Sequence, residues 1–205
     1  MGHGGAYVTD VAPDVEARRR AVVDLPWTWL RQVHGDTVVT VTDPGHGAGS
    51  KADASVSHEH GAVLAVLTAD CAPVALVSPE GIVAAVHAGW RGLQCGVLQR
   101  AVDAARELGA TDLRAVLGPC IHAECYEFGT EDLDAVAATL GDGVRALTAA
   151  GRPALDVPAA VAAALKQAGV TELDDVNVCT ACSGDYFSWR ARGEQSRQAM
   201  VVWRE

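Results

Sequence analysis

The apolar positions of the chain fall into two kinds of pattern. Across residues 61–67, 72–77 and 81–86 they form three nearly continuous short blocks, bounded by Gly, Pro and Ser. Blocks of this length without a polar face predict buried strands rather than helices. Ser78-Pro79-Glu80-Gly81 carries a turn signal, so the second and third blocks are expected to form a hairpin. Further on, helical spacing takes over. Val97, Leu98, Ala101, Val102, Ala105 and Leu108 recur on one face, with Arg100, Asp103 and Arg106 on the other and Gly109 to close the helix. Helices are also predicted over residues 131–140 and 159–168, the latter opened by Asp156-Val157-Pro158. A short helix over 16–23 ends at Leu25-Pro26-Trp27. Strands are expected over 37–42, 113–117, 175–179 and 199–203, with a Gly- and Pro-rich loop over 43–50 and an arginine-rich loop around Arg190, Arg192 and Arg197.

Strands and helices alternate irregularly, and no linker or repeat divides them. This predicts an α+β fold, with mixed β-sheets and flanking helices in a single catalytic domain over residues 1–205. The chain is 205 residues long and 49% apolar, enough for a substantial core. No apolar run reaches the ~18 residues of a membrane span. The first twenty residues lack a continuous apolar segment, so no secretory signal is expected and the location is read as cytoplasmic. In that compartment the six cysteines, Cys71, Cys95, Cys120, Cys125, Cys179 and Cys182, are expected as reduced thiols. A formal charge of -10 disfavours nucleic acid as a partner. The oligomeric state is left open, with a monomer favoured.

The strand blocks also carry the chemistry. The first leads into Thr68-Ala69-Asp70-Cys71 and the third into His87-Ala88-Gly89-Trp90-Arg91-Gly92. A hairpin would bring Cys71 and His87 together at its open end. Gly-Trp-Arg-Gly reads as a helix start, whose free N–H groups and Arg91 suit an anion. Asp70 either orients a ligand or proton, or caps a turn. His34, in Gln32-Val33-His34-Gly35, is a third candidate. Two imidazoles and a thiolate with a fourth position open make a catalytic zinc arrangement, although spacing does not join His34 to Cys71. Without a metal, Cys71 and His87 are equally a nucleophile and base, or a buried thiol and a structural imidazole.

The motifs RQVHGD (31–36), ADASVS (52–57), TADCAPVAL (68–76), HAGWRGL (87–93), GPCI with CYEFG (118–129) and CTACSGDYFSWRARGEQSRQA (179–199) occur in that order. Together they resemble the purine nucleoside phosphorylase/adenosine deaminase family, the laccase-domain proteins formerly called polyphenol oxidases. The resemblance implies zinc held by His34, Cys71 and His87; Cys71, His87 and Arg91 are the catalytic candidates, Arg91 as the cation for phosphate at the helix start. Gln32, Asp70, Trp90 and Arg190 are taken as candidate substrate contacts, and the resemblance implies a fold related to cysteine-hydrolase-like toxin domains. The implied substrates are inorganic phosphate and purine nucleosides, including adenosine, which the family also deaminates, and methylthioadenosine. The segment before QVHG is shorter than the family's, with Gly4-Gly5 as a remnant, and the family's FFSYRRDG-like stretch is altered to Tyr186-Phe187-Ser188-Trp189-Arg190-Ala191-Arg192-Gly193.

Two other functions compete. One is a cysteine hydrolase that edits peptidoglycan precursors with Cys71 and His87. The other is a copper-binding polyphenol oxidase. The chain has seven histidines and one His-x-His unit, His58-Glu59-His60, too few for a multicopper cluster. Copper binding by the nitrogen and sulfur donors is still expected from the affinity order of divalent metals. Cys120, Cys125, Cys179 and Cys182 have spacings that would suit a structural zinc, but buried reduced thiols are the preferred reading. Trp27, Trp29 and Trp203 are assigned to the core. Trp90 is a candidate to stack on a purine, and Phe187 and Trp189 to wall the base pocket.

Overall fold

The computed structural model describes residues 13–205; Gly4-Gly5 lies outside them. In chain order the elements are α1 (Pro13–Val22), β1 (Trp27–Trp29), β2 (Val38–Thr40), β3 (Ala54–Ser57), β4 (Val63–Thr68), β5 (Ala72–Val77), β6 (Val83–Ala88), α2 (Trp90–Cys95) and α3 (Val97–Glu107). They continue with β7 (Arg114–Leu117), α4 (Thr130–Leu140), β8 (Arg145–Leu147), β9 (Pro153–Leu155), α5 (Val157–Gln167), β10 (Glu172–Asp175), α6 (Trp189–Arg192) and β11 (Gln198–Val202). The fold is α+β with mixed sheets and flanking helices. A six-stranded sheet runs β10-β7-β5-β6-β3-β2, a three-stranded sheet runs β1-β4-β11, and β8 pairs with β9.

Side-chain alternation along the central hairpin explains the layering. In β5 and β6, Val74, Leu76, Ala84 and Val86 point into a core shared with Leu98 and Val102 of α3 and Val161 and Leu165 of α5. Val83 and Ala85, of opposite parity, meet Leu64 and Val66 of the smaller sheet in a second core. Strands buried on both faces therefore read as unbroken apolar blocks. Burying each such Val or Leu contributes about 1.5–3 kcal/mol. The predicted hairpin forms with Ala72 opposite Ala88 and Pro73 opposite His87. The first block, β4, belongs to the other sheet, so Ala69, Asp70 and Cys71 form the corner at which the chain passes between sheets.

Some expectations are corrected. The strand predicted over 175–179 stands earlier, at β10. Asn177 adopts φ 54°, and its N–H is accepted by Asp175 Oδ1 at 2.7 Å, a local turn that ends the strand. The arginine-rich loop contains α6, which Ser188 caps by accepting the Ala191 N–H and which Gly193 ends at φ 65°. Trp27, Trp29 and Trp203 are only partly buried. Trp27 Nε1 donates to the Val23 carbonyl at 3.2 Å, and the Arg19 guanidinium lies over the Trp27 and Trp29 rings. An indole with a polar N–H suits this surface position.

Candidate metal centre and active site

Three separate segments meet at the open end of the β5–β6 hairpin. His87 sits near the end of β6 and is 2% exposed. Cys71 precedes β5, and His34 comes from the loop between β1 and β2. One ligand atom from each of the three lies within 4.8 Å of the others. Cys71 Sγ is 3.8 Å from His34 Nε2, and the two imidazoles stand edge to face at 4.7 Å. Two nitrogens and a sulfur in this arrangement form a donor set for a borderline or soft divalent ion. Gly89 leaves room for it. A Cβ there would lie 2.7 Å from His34 Cδ2 and 3.3 Å from Cys71 Sγ.

Asp53, which the sequence reading overlooked, organises the centre. Its side chain is fully buried in the ADASVS segment. It accepts the N–H groups of Val33, His34 and Gly35 at 2.8–3.1 Å, and its Oδ1 pairs with His87 Nδ1 at 2.8 Å. Those bonds hold His34 at φ 60°, a conformation a non-glycine residue adopts only when its surroundings compensate the strain. They also leave Nε2 as the free nitrogen of His87. The one available clue was a carboxylate in an otherwise small and apolar stretch, and a burial cost of that size implies partners.

Asp70 has a similar place on the other side. It adopts φ 95° and its carboxylate is buried. Oδ1 accepts the hydroxyls of Thr180 and Ser188, each at 2.7 Å, and Oδ2 accepts the Arg190 N–H at 2.7 Å. These bonds tie the Asp70 carboxylate to residues far along the chain. Gln32 is likewise engaged with protein rather than facing a ligand. Its amide exchanges two 2.8 Å bonds with the backbone of Leu67. Leu67 lies in β4 beyond the stretch paired with β1, so the Gln32 amide takes up backbone groups that β1 does not reach. Arg91 is exposed at the start of α2, with its guanidinium 4.3 Å from the Trp90 ring centre. Trp90 also packs edge to face on Phe128. Arg190 donates to the Glu127 carbonyl and covers Tyr126, while Phe187 and Trp189 are exposed nearby along the chain.

The electrostatics favour an ion pair between Cys71 and His87. Burial raises the Cys71 pKa, but the charge of His87 and hydrogen bonds from His34 and His87 outweigh it and bring it down to about 6. Burial lowers that of His87, yet the Cys71 charge and the Asp53 hydrogen bond raise it to about 9. Burial likewise opposes ionisation of Asp53, and the His87 and backbone hydrogen bonds overcome it, so its pKa is lowered. His58 and His60 take no part in the centre. His58 faces Glu59, and His60 Nδ1 meets the Glu205 carbonyl.

Comparisons with known proteins identify the family. A family model described as "multi-copper polyphenol oxidoreductase laccase" matches residues 3–205. A purine nucleoside phosphorylase of Streptomyces coelicolor is 44% identical over 179 residues, covering 85% of this chain and 74% of its own. One of Mycobacterium tuberculosis is 40% identical over 195 residues, covering 92% of this chain and 78% of its own. Among solved structures, YlmD of Geobacillus stearothermophilus superposes with a TM-score of 0.86 at 31% identity, covering 98% of this chain and 84% of its own. A Neisseria meningitidis protein does so with a TM-score of 0.85 at 33% identity, covering 98% and 85%. The chain belongs to the laccase-domain family, whose curated relatives are named purine nucleoside phosphorylases.

Proposed function

We propose that the protein is a zinc-dependent purine nucleoside phosphorylase, which also deaminates adenosine and cleaves methylthioadenosine at the same site. The observation that carries this reading is the convergence of His34, Cys71 and His87 in a chain with relatives of that name. In phosphorolysis a phosphate oxygen forms a bond to C1′ of the sugar, the bond from C1′ to the purine breaks, and the purine leaves with its electron pair and takes a proton. His34, Cys71 and His87 hold the metal, and Asp53 fixes the His87 ring. Arg91 supplies a cation for phosphate, and Trp90 an aromatic face for the base. When bound, zinc supplies Lewis acidity and lowers the pKa of water, which deamination requires. Gln32 and Asp70 act by positioning the loops around the centre. We take residues 1–205 as one catalytic domain acting in the cytoplasm. Six free thiols accord with that compartment, and no helix among the described residues is long and apolar enough to cross a membrane.

The family's copper-oxidase description is not favoured by the donors. Among the described residues, neither group able to hold a metal contains more than two histidines. A second reading has one specific observation behind it. Cys71, His87 and Asp53 line up as nucleophile, base and orienting carboxylate, the make-up of a cysteine hydrolase, for which cell-wall precursor peptides are the candidate substrate. Zinc-quantified protein incubated with adenosine, with and without phosphate, separates the readings. Adenine with ribose 1-phosphate supports phosphorolysis, and inosine supports deamination. Cys71→Ala and His87→Ala should each lose zinc and turnover, whereas Arg91→Ala should keep zinc and use phosphate poorly. Full turnover by Cys71→Ala would remove the metal mechanism. Failure to convert any nucleoside, combined with peptide hydrolysis by the metal-free protein, would support the hydrolase.

A further inference from the structure

A second group of soft donors lies away from the hairpin end. The Sγ atoms of Cys125, Cys179 and Cys182 and a carboxylate oxygen of Glu124 all lie within 4.8 Å of one another. Cys125 and Cys182 have their sulfurs 3.3 Å apart, and Cys182 Sγ is 4.0 Å from Glu124 Oε1. The backbone N–H of His122 donates to Cys179 Sγ at 3.4 Å. Cys120, which the sequence spacing would have made the fourth ligand, is buried apart from the group and meets Cys179 through its backbone. Glu124 takes its place. The preference for four buried thiols is thus corrected, because Cys182 is exposed and Cys125 only partly buried.

The geometry suits one small cation. Zinc holds sulfur at about 2.3 Å in a tetrahedron, which sets neighbouring sulfurs about 3.7 Å apart. A disulfide would account for two of these groups, but not for a third thiol and a carboxylate at the same point. We propose that Glu124, Cys125, Cys179 and Cys182 form a structural zinc site, separate from the centre at His34, Cys71 and His87. Four protein donors close the tetrahedron and leave no position for substrate. Zinc displaces the three thiol protons to solvent, and Glu124 binds as the carboxylate it already is.

The site joins two short turns of the chain. Glu124 and Cys125 lie on the single 3-10 turn Ala123–Cys125, and Cys179 and Cys182 on a turn closed by the Ser183 N–H to the Cys179 carbonyl. Thr180, within that second turn, donates its hydroxyl to Asp70, the neighbour of Cys71. A zinc ion here would therefore brace the wall behind the catalytic thiol.

The test uses full-length protein, grown with zinc, dialysed without chelator and assayed by elemental analysis. Cys71→Ala should retain an equivalent of zinc, and X-ray absorption at its zinc edge should show a sulfur-rich shell near 2.3 Å. Cys182→Ser should lose that equivalent while keeping the one at Cys71. Glu124→Gln should bind it about 10–100-fold more weakly. Because Cys182 is exposed, its replacement is expected to fold, which circular dichroism checks. Should it not fold, the absorption spectrum of Cys71→Ala decides alone. Three results would overturn the proposal. They are no zinc in Cys71→Ala, an unchanged zinc content in folded Cys182→Ser, or a Cys125–Cys182 disulfide mapped in the protein as isolated.

Discussion

Asp53 is a carboxylate with no exposed surface, and it binds three backbone N–H groups and an imidazole. In the proposed zinc centre such a group would act on the metal through the residues it orients. Asp53→Asn places an amide NH₂ among these donors and removes the charge that fixes His87. Zinc affinity, measured by competition with a chromogenic chelator, should fall about 10–100-fold. An unchanged affinity would mean that His87 is oriented by packing alone. The Cys71–His87 pair supplies a second prediction. In chelator-treated protein the alkylation rate of Cys71 should rise as pH passes through about 6 and then level off. In His87→Ala the rise should move toward the ordinary thiol range near ~8.5. The linkage has opposite signs for the two groups. Cys71, with its pKa lowered, gives up its stabilisation as pH falls through about 6. His87, with its pKa raised, gives it up as pH rises through about 9. Between those values the two slopes oppose, and urea unfolding should show little pH dependence from this pair.

At the scale of elements, the corner between β4 and β5 is held from a distance. Asp70 binds Thr180, Ser188 and Arg190, all more than a hundred residues further along the chain. Asp70→Ala would leave two buried hydroxyls without their acceptor and cost about 1–3 kcal/mol in urea unfolding. Hydrogen exchange should rise most over residues 180–192, and protection unchanged there would refute the clamp. The regular elements were legible where their pattern was strong. The α3 stripe and the Asp156 cap of α5 follow from residues close in sequence, and the cap forms as a 2.9 Å bond from the Ala159 N–H to Asp156 Oδ1. The false strand at 175–179 and the missed α6 depend on single residues, Asn177 and Ser188, whose local bonds override the average character of their segments.

For the molecule as a whole, the candidate centre draws on three segments that converge only once the sheets have packed. An ion bound there is linked to folding. Chelation should therefore lower the melting temperature, and Cys71→Ala should lose the part of that shift due to this centre. Free zinc at a hundred times its Kd would add about 2.7 kcal/mol. A wild-type melting temperature indifferent to chelator would show that the centre is not loaded.

The sequence by itself determined the buried hairpin, the main helices and the types of donor. These follow from apolar periodicity, turn residues and caps, all of them short-range properties of the chain. It also placed Cys71 beside His87, because a hairpin turns sequence order into register. Only the tertiary structure decided that β4 belongs to a different sheet from β5, since strands apolar on both faces carry no mark of their partner. It also decided that His34 joins the pair, that Asp53 orients it, and that Asp70 and Gln32 bond to protein groups distant in the sequence. A buried polar group is defined by the partners that fold around it, and in this protein those partners lie tens of residues away along the chain.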